Sequence, residues 1–112
     1  MWVIKRTDEI ALWIENLDDD AKEAILKRLF ILQEIGPSLG RPYVDSIKES
    51  RYGNIKELRI QNKRRLFRIL FAFDPKREII LLIGGDKRGQ KQFYKKMIPL
   101  SERLYERHLK RR

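Results

Sequence analysis

Between Gly84 and Lys96 the chain reads GGDKRGQKQFYKK, which places five Lys/Arg side chains, a glycine pair and one tyrosine within thirteen residues. Lys87, Arg88, Lys91 and Lys95 are cations suited to a polyanion backbone, and Tyr94 is a group able to give or take a proton. Twenty residues upstream of Arg88, the run RRLFRILFAF carries Arg68 in its middle. A guanidinium there can grip a phosphate by two parallel hydrogen bonds. One chemistry such groups could serve is cleavage of RNA. The 2′-hydroxyl is the substrate's own nucleophile, so an enzyme has to align it with the phosphorus, neutralise the charge that builds up, and handle two protons.

Other common phosphodiester chemistries are disfavoured by residue type. His108 is the single histidine, so a two-histidine ribonuclease is impossible, and with no cysteine there is neither a thiol nucleophile nor a thiolate zinc site. No Asp/Glu grouping has the pattern of a two-metal nuclease, and no GxxxxGK[ST] or GxGxxG loop is present. No metal and no cofactor is expected. His108, near the end of the chain, reads as surface or helix-end decoration.

These side chains need a scaffold. WVIKR can form a first strand, and TDEIALWIENL a helix capped by Thr7, with Ile10, Trp13, Ile14 and Leu17 on one face. DDDAKEAILKRLFILQEIG is a second helix, with Asp18 to Asp20 at its positive end, Ala21, Ile25, Leu29 and Leu32 as its buried stripe, and Gly36-Pro37 as its stop. PSLGRPYVDSIKESRYGN reads as an ordered connection. Three strands follow: IKELRI, RRLFRILFAF and EIILLI, the last two joined by a DPKR turn. The final segment, from Gln90 to Arg112, reads as a helix broken or kinked at Pro99.

Alternation in the central strand sends Phe67, Ile69, Phe71 and Phe73 toward the two helices, and Arg64, Leu66, Arg68, Leu70 and Ala72 to the other side. Glu57 and Arg59 share one face of the preceding strand, with Lys56 on the other. Two uses of Arg68 are open: a structural ion pair with a carboxylate such as Glu57, or a phosphate clamp on a hollow basic face. Gly84 and Gly85 read as a loop whose backbone exposes amides to an anion at the rim of that face.

With 112 residues, 42% hydrophobic and 38% charged, the chain forms one domain over residues 1–112 around a modest core. The net charge of +10 is unevenly spread. Residues 1–40 carry 5 Lys/Arg and 8 Asp/Glu, a net of −3; residues 41–84 carry 11 and 5, and residues 85–112 carry 10 and 3. The second half of the chain thus builds a cationic surface, for which nucleic acid is the expected partner. Neither a membrane span nor a secretion signal is expected, and a cytoplasmic location is.

Three stretches taken together, LGRPYVDSIKESRYGNIKELRI, RRLFRILFAFDPKREIILLIGGDKRG and QKQFYKKMIPLSERLYERHL, resemble the HigB branch of the RelE-like toxins of bacterial type II toxin–antitoxin modules. The resemblance covers nearly the whole chain. It implies an α+β fold of order β-α-α-β-β-β-α, a mainly antiparallel twisted sheet with two N-terminal helices on one face and a concave basic face on the other. It also implies a metal-independent endoribonuclease that cuts mRNA in the ribosomal A site. A HigA-like helix-turn-helix antitoxin would be its partner, and operator DNA would be reached only through that antitoxin. Carried over by position, the mid-strand arginine falls on Arg68, the arginine after the last strand on Arg88 and the helix tyrosine on Tyr94. Lys56, Arg59, Arg64, Arg65, Lys87, Lys91 and Lys95 are the expected RNA-binding set. Two other readings stay open: a non-catalytic RNA- or ribosome-binding module on the same surface, and an interaction protein whose basic last helix meets an acidic partner.

Overall fold

The computed structural model describes residues 1–111. Its elements are β1 (Val3–Arg6), α1 (Asp8–Glu15), α2 (Asp19–Ile35), a 3-10 turn at Gly36–Ser38, β2 (Val44–Ser46), β3 (Ile55–Asn62), β4 (Arg65–Asp74), β5 (Glu78–Asp86) and α3 (Phe93–Lys110). The five strands form one sheet in the order β1-β5-β4-β3-β2. Only the β1–β5 pair is parallel; the other pairings are antiparallel. β2 was not expected from the sequence. It is three residues long and adds an edge strand within the segment read as a connection.

Local chemistry explains the helix ends. Thr7 Oγ1 accepts from the Ile10 amide at 3.1 Å and donates to the Leu82 carbonyl at 2.7 Å, so one hydroxyl caps α1 and ties it to β5. Asp18 caps α2 by accepting from the Ala21 amide at 2.8 Å. Gly36 ends α2 at φ +73°, where a Cβ would lie 2.5 Å from the Trp2 indole nitrogen. The turn after β4 closes as expected, with the Arg77 amide donating to the Asp74 carbonyl at 2.9 Å.

The alternation of β4 sorts two cores. On one face Phe67, Ile69 and Phe71 join Ile10, Ala21, Ile25, Leu29 and Leu32 of the N-terminal helices. On the other face Leu70 and Ala72 join Ile80 and Leu82, and α3 covers them with Ile98, Leu104 and Tyr105. The face expected as a basic hollow is therefore mainly apolar beneath the middle of α3, with its charged cluster at the Tyr94 end of that helix. α3 runs as one helix through Pro99 and begins at Phe93, later than the sequence reading placed it. Arg112, the last residue of that expected helix, lies outside the described residues. Among the described residues no helix is long and apolar enough to cross a membrane.

Gly84 and Gly85 need a correction. Both belong to β5, pairing with Ile69 and Arg68, and neither has a positive φ. Their missing side chains make room for the helices. A Cβ on Gly84 would stand 2.4 Å from Trp13 on the α1 side, and one on Gly85 would stand 2.8 Å from Met97 on the α3 side. The glycine pair is a packing device, not an anion cradle.

Candidate active site

The strand register brings Arg59 opposite Arg68 and Glu57 opposite Leu70, so Glu57, Arg59 and Arg68 share the α3 face of the sheet. Glu57 is the hub. Only 3% exposed, it accepts from the Tyr94 hydroxyl at 2.6 Å through Oε1 and from Arg59 at 3.0 and 3.1 Å through Oε2. Arg68 Nε stands 3.7 Å from the same Oε1, near enough to pair by charge and too far for a hydrogen bond. Among the described residues, that buried Nε has no hydrogen-bond partner, while Nη1 donates to the Phe67 carbonyl at 3.0 Å. Arg59 also reaches Asp45 of β2 at 3.1 Å.

Of the two uses open to Arg68, the ion pair with Glu57 is present, and it coexists with an unused guanidinium donor. Burial first, and then the hydrogen bond to Glu57, push the Tyr94 phenol up to about 12. Tyr94 therefore holds its proton throughout the neutral range.

The turn after β5 stands beside this cluster. Asp86 Oδ1 accepts from the Leu66 and Arg88 amides, both at 3.0 Å, and the Lys87 amide donates to the Leu66 carbonyl at 2.9 Å. The turn is thus pinned to the first residues of β4, with Gly89 at φ +71°. Its amides are spent on the fold, and what it offers a ligand is side chains. Lys87 Nζ lies 5.3 Å from the centre of the Tyr94 ring, and Arg88 is exposed. Lys91 and Lys95 are exposed before and within the start of α3, a helix end with no acidic residue in its first turn and no side-chain cap. Cations there oppose the helix dipole, a conflict that an anion would relieve.

The remaining expected RNA contacts are not with this group. Arg65 is turned to the α2 side, where it donates to Asp18 at 2.6 Å, and its guanidinium stands 5.3 Å from the Phe67 ring. Lys56 falls opposite Phe71 on the α1–α2 face, as its alternation required, with Nζ 3.4 Å from Ser46 Oγ. Arg64 is exposed in the β3–β4 turn. What sequence reasoning undervalued is Glu57, weighed only as a counter-ion to Arg68. The available signal was that it is the one acid between Arg51 and Asp74, on the strand face that carries Arg59.

His108 is also more than decoration. It is half-buried, stacks on Tyr105, and has Nε2 3.5 Å from the buried Asp74 Oδ2. Asp74, Glu78 and His108 each offer a ligand atom within 4.8 Å of the others. They gather at the Asp74 end of β4, away from Arg68.

A five-stranded sheet of this order, clad by helices on both faces, has the α+β fold of the RelE-like proteins. A chain of the archaeal RelE–RelB complex from Pyrococcus horikoshii superposes with a TM-score of 0.59 over 80% of this chain and 97% of that one, at 18% identity. The family described as phage derived protein Gp49-like matches residues 12–106. Two Mycobacterium tuberculosis proteins, named as toxins HigB2 and HigB3, are similar in sequence. HigB3 is 41% identical over 102 residues, 90% of this chain and 88% of its own length. HigB2 is 39% identical over 104 residues, 91% of this chain, but the chain spans only 52% of that longer protein. The chain belongs to the Gp49-like family and, within it, to the HigB-type toxins.

Proposed function

We propose that this chain is the toxin of a type II toxin–antitoxin pair, acting in the cytoplasm as a metal-independent endoribonuclease that cleaves mRNA in the ribosomal A site. The single observation that carries the reading is the Arg68–Glu57–Tyr94 cluster beside the Lys87–Arg88 turn. In this scheme the 2′-hydroxyl gives its proton to the Tyr94 oxygen as Tyr94 passes its own to Glu57. The relay never forms a free tyrosinate, which a phenol raised to about 12 makes costly near neutral pH. The 2′ oxygen then bonds to phosphorus, the bond to the 5′ oxygen breaks, and a 2′,3′-cyclic phosphate is left. The departing oxygen takes a proton from Lys87. Arg68, whose guanidinium stands at the base of the cluster, and Arg88, from the exposed turn, stabilise the charge on the phosphoryl oxygens. A HigA-like helix-turn-helix antitoxin is the proposed partner, and operator DNA is met only through it.

One observation favours a second reading. Glu57 already pairs with Arg68 and Arg59, so the freely available cations are the exposed ones, which is the pattern of a non-catalytic RNA- or ribosome-binding module. Mapping message ends on translating ribosomes separates the two. The nuclease reading expects new 5′ ends and growth arrest in wild type, and neither in Arg88→Ala. Arg68→Lys, which keeps the buried charge but not the two-pronged grip, is expected to lose cleavage by about 100-fold while remaining folded. Stalled ribosomes carrying intact messages would overturn cleavage in favour of the binding module.

A further inference from the structure

A cleft of about 550 Å³ opens beside Tyr94, lined by Glu49, Tyr94, Lys95, Ile98 and Pro99. Three of these walls are apolar or aromatic: the Tyr94 ring, the Pro99 ring and Ile98. The Tyr94 ring is held in place by the 2.6 Å bond from its hydroxyl to Glu57. Two charged side chains stand at the cleft, Lys95 and Glu49. Glu49 is exposed and, among the described residues, its carboxylate makes no hydrogen bond or ion pair. A free carboxylate in so basic a neighbourhood repels phosphate and selects a ligand part that donates hydrogen bonds.

We infer that this cleft holds a nucleobase of the bound strand and that Glu49 selects guanine. The inference rests on the proposed RNA-binding role of the site and adds to it a base preference. Flat apolar walls suit the faces of any base, because every base has a π-face to stack. Lys87 and Lys95 stand on the flanks of Tyr94, where the sugar-phosphate chain of a base seated in the cleft would pass. The choice among bases then falls to the carboxylate. Guanine offers two adjacent donors, the ring N1–H and the exocyclic amine, which match the two oxygens of a carboxylate in parallel. Adenine and cytosine place a ring acceptor beside their one amine, and uracil flanks its one N–H with two carbonyls, so each sets a lone pair against Glu49.

The test is an NMR titration of the isotope-labelled full chain with the 5′-monophosphates of guanosine, adenosine, cytidine and uridine. GMP is expected to bind about tenfold more tightly than the other three, with shifts centred on Glu49, Lys95 and Ile98. Glu49→Gln is expected to bring GMP within about twofold of AMP while AMP itself is unchanged. Because Glu49 is exposed and unpartnered, the variant keeps the wild-type spectrum elsewhere. Equal binding of the four nucleotides, a guanine preference that survives in Glu49→Gln, or no saturable binding at all would each overturn the inference. The two readings fail separately. Guanine-selective binding without message cleavage keeps the pocket and removes the nuclease; cleavage indifferent to Glu49→Gln, with no nucleotide preference, does the reverse.

Discussion

Glu57 joins two arginines and a tyrosine that come from three different elements, and its burial sets what each of them can do. With Glu57 in place, Arg59 and Arg68 each have a carboxylate partner and Tyr94 is held as a donor. Removing the carboxylate strands the arginines beneath α3. Glu57→Ala is expected to cost about 3 kcal/mol in urea unfolding, because breaking a buried pair leaves the partner charges uncompensated. Tyr94 gives a pH test. Its phenol keeps its proton to about 12 in the folded chain, against an ordinary 10 once unfolded. Between those values the unfolded chain binds fewer protons, so stability is unaffected below pH 10 and falls as pH rises toward 12. Tyr94→Phe is expected to abolish that part of the alkaline fall, read as melting temperature against pH.

The strands and helices decide whether those residues meet. β5 passes between α1 and α3, and Gly84 and Gly85 are the places where each helix comes closest. The obstacle at Gly84 is the rigid indole of Trp13; at Gly85 the nearest atom is the mobile end of Met97, with the Phe93 ring behind it. Gly84→Ala is therefore expected to cost about 2 kcal/mol and Gly85→Ala less, by denaturant unfolding. An anion cradle would instead predict lost RNA binding at unchanged stability. α2 has its own pH signature. The Arg65 guanidinium, followed by the Ala21 amide, holds the Asp18 carboxyl down at about 2, against an ordinary 3.8. That support for the start of α2 is complete above the unfolded value and is lost as pH falls through the folded one. Asp18→Ala is expected to lower the melting temperature near neutral pH and to lower it by progressively less as pH falls toward 2, as differential scanning calorimetry would show.

At the scale of the molecule, the charge asymmetry along the chain becomes an arrangement in space only after pairing is taken into account. Arg51 is bound to Glu106, Arg107 to Glu9, Arg65 to Asp18 and Arg59 to Glu57, while Lys87, Arg88, Lys91 and Lys95 gather around the start of α3. RNA affinity is accordingly expected to fall with salt at about 0.7 log units per log unit of salt for each phosphate neutralised. A titration of Arg88→Ala against wild type should lower that slope by about one such contact, and an unchanged slope would remove Arg88 from the interface. The element order, both N-terminal helices, their buried stripes and the three long strands were legible in the sequence. Local rules govern them: the period of the apolar residues, the caps at Thr7 and Asp18, and the Asp74–Pro75 turn. β2 was not legible, because a three-residue edge strand is held by its neighbour and not by its own pattern. The site was legible as a set of residue types, with Glu57 and Arg59 on one strand face, Lys56 on the other, and Glu57 as a candidate ion-pair partner of Arg68. Tertiary packing alone decided the rest. It made Glu57 the hub, turned Arg65 to a helix end, spent the loop amides on Asp86 and Leu66, and laid α3 over the face expected to be open. The physical reason is that a charge's role depends on which opposite charge and how much water it meets, and both are fixed by residues distant in the chain.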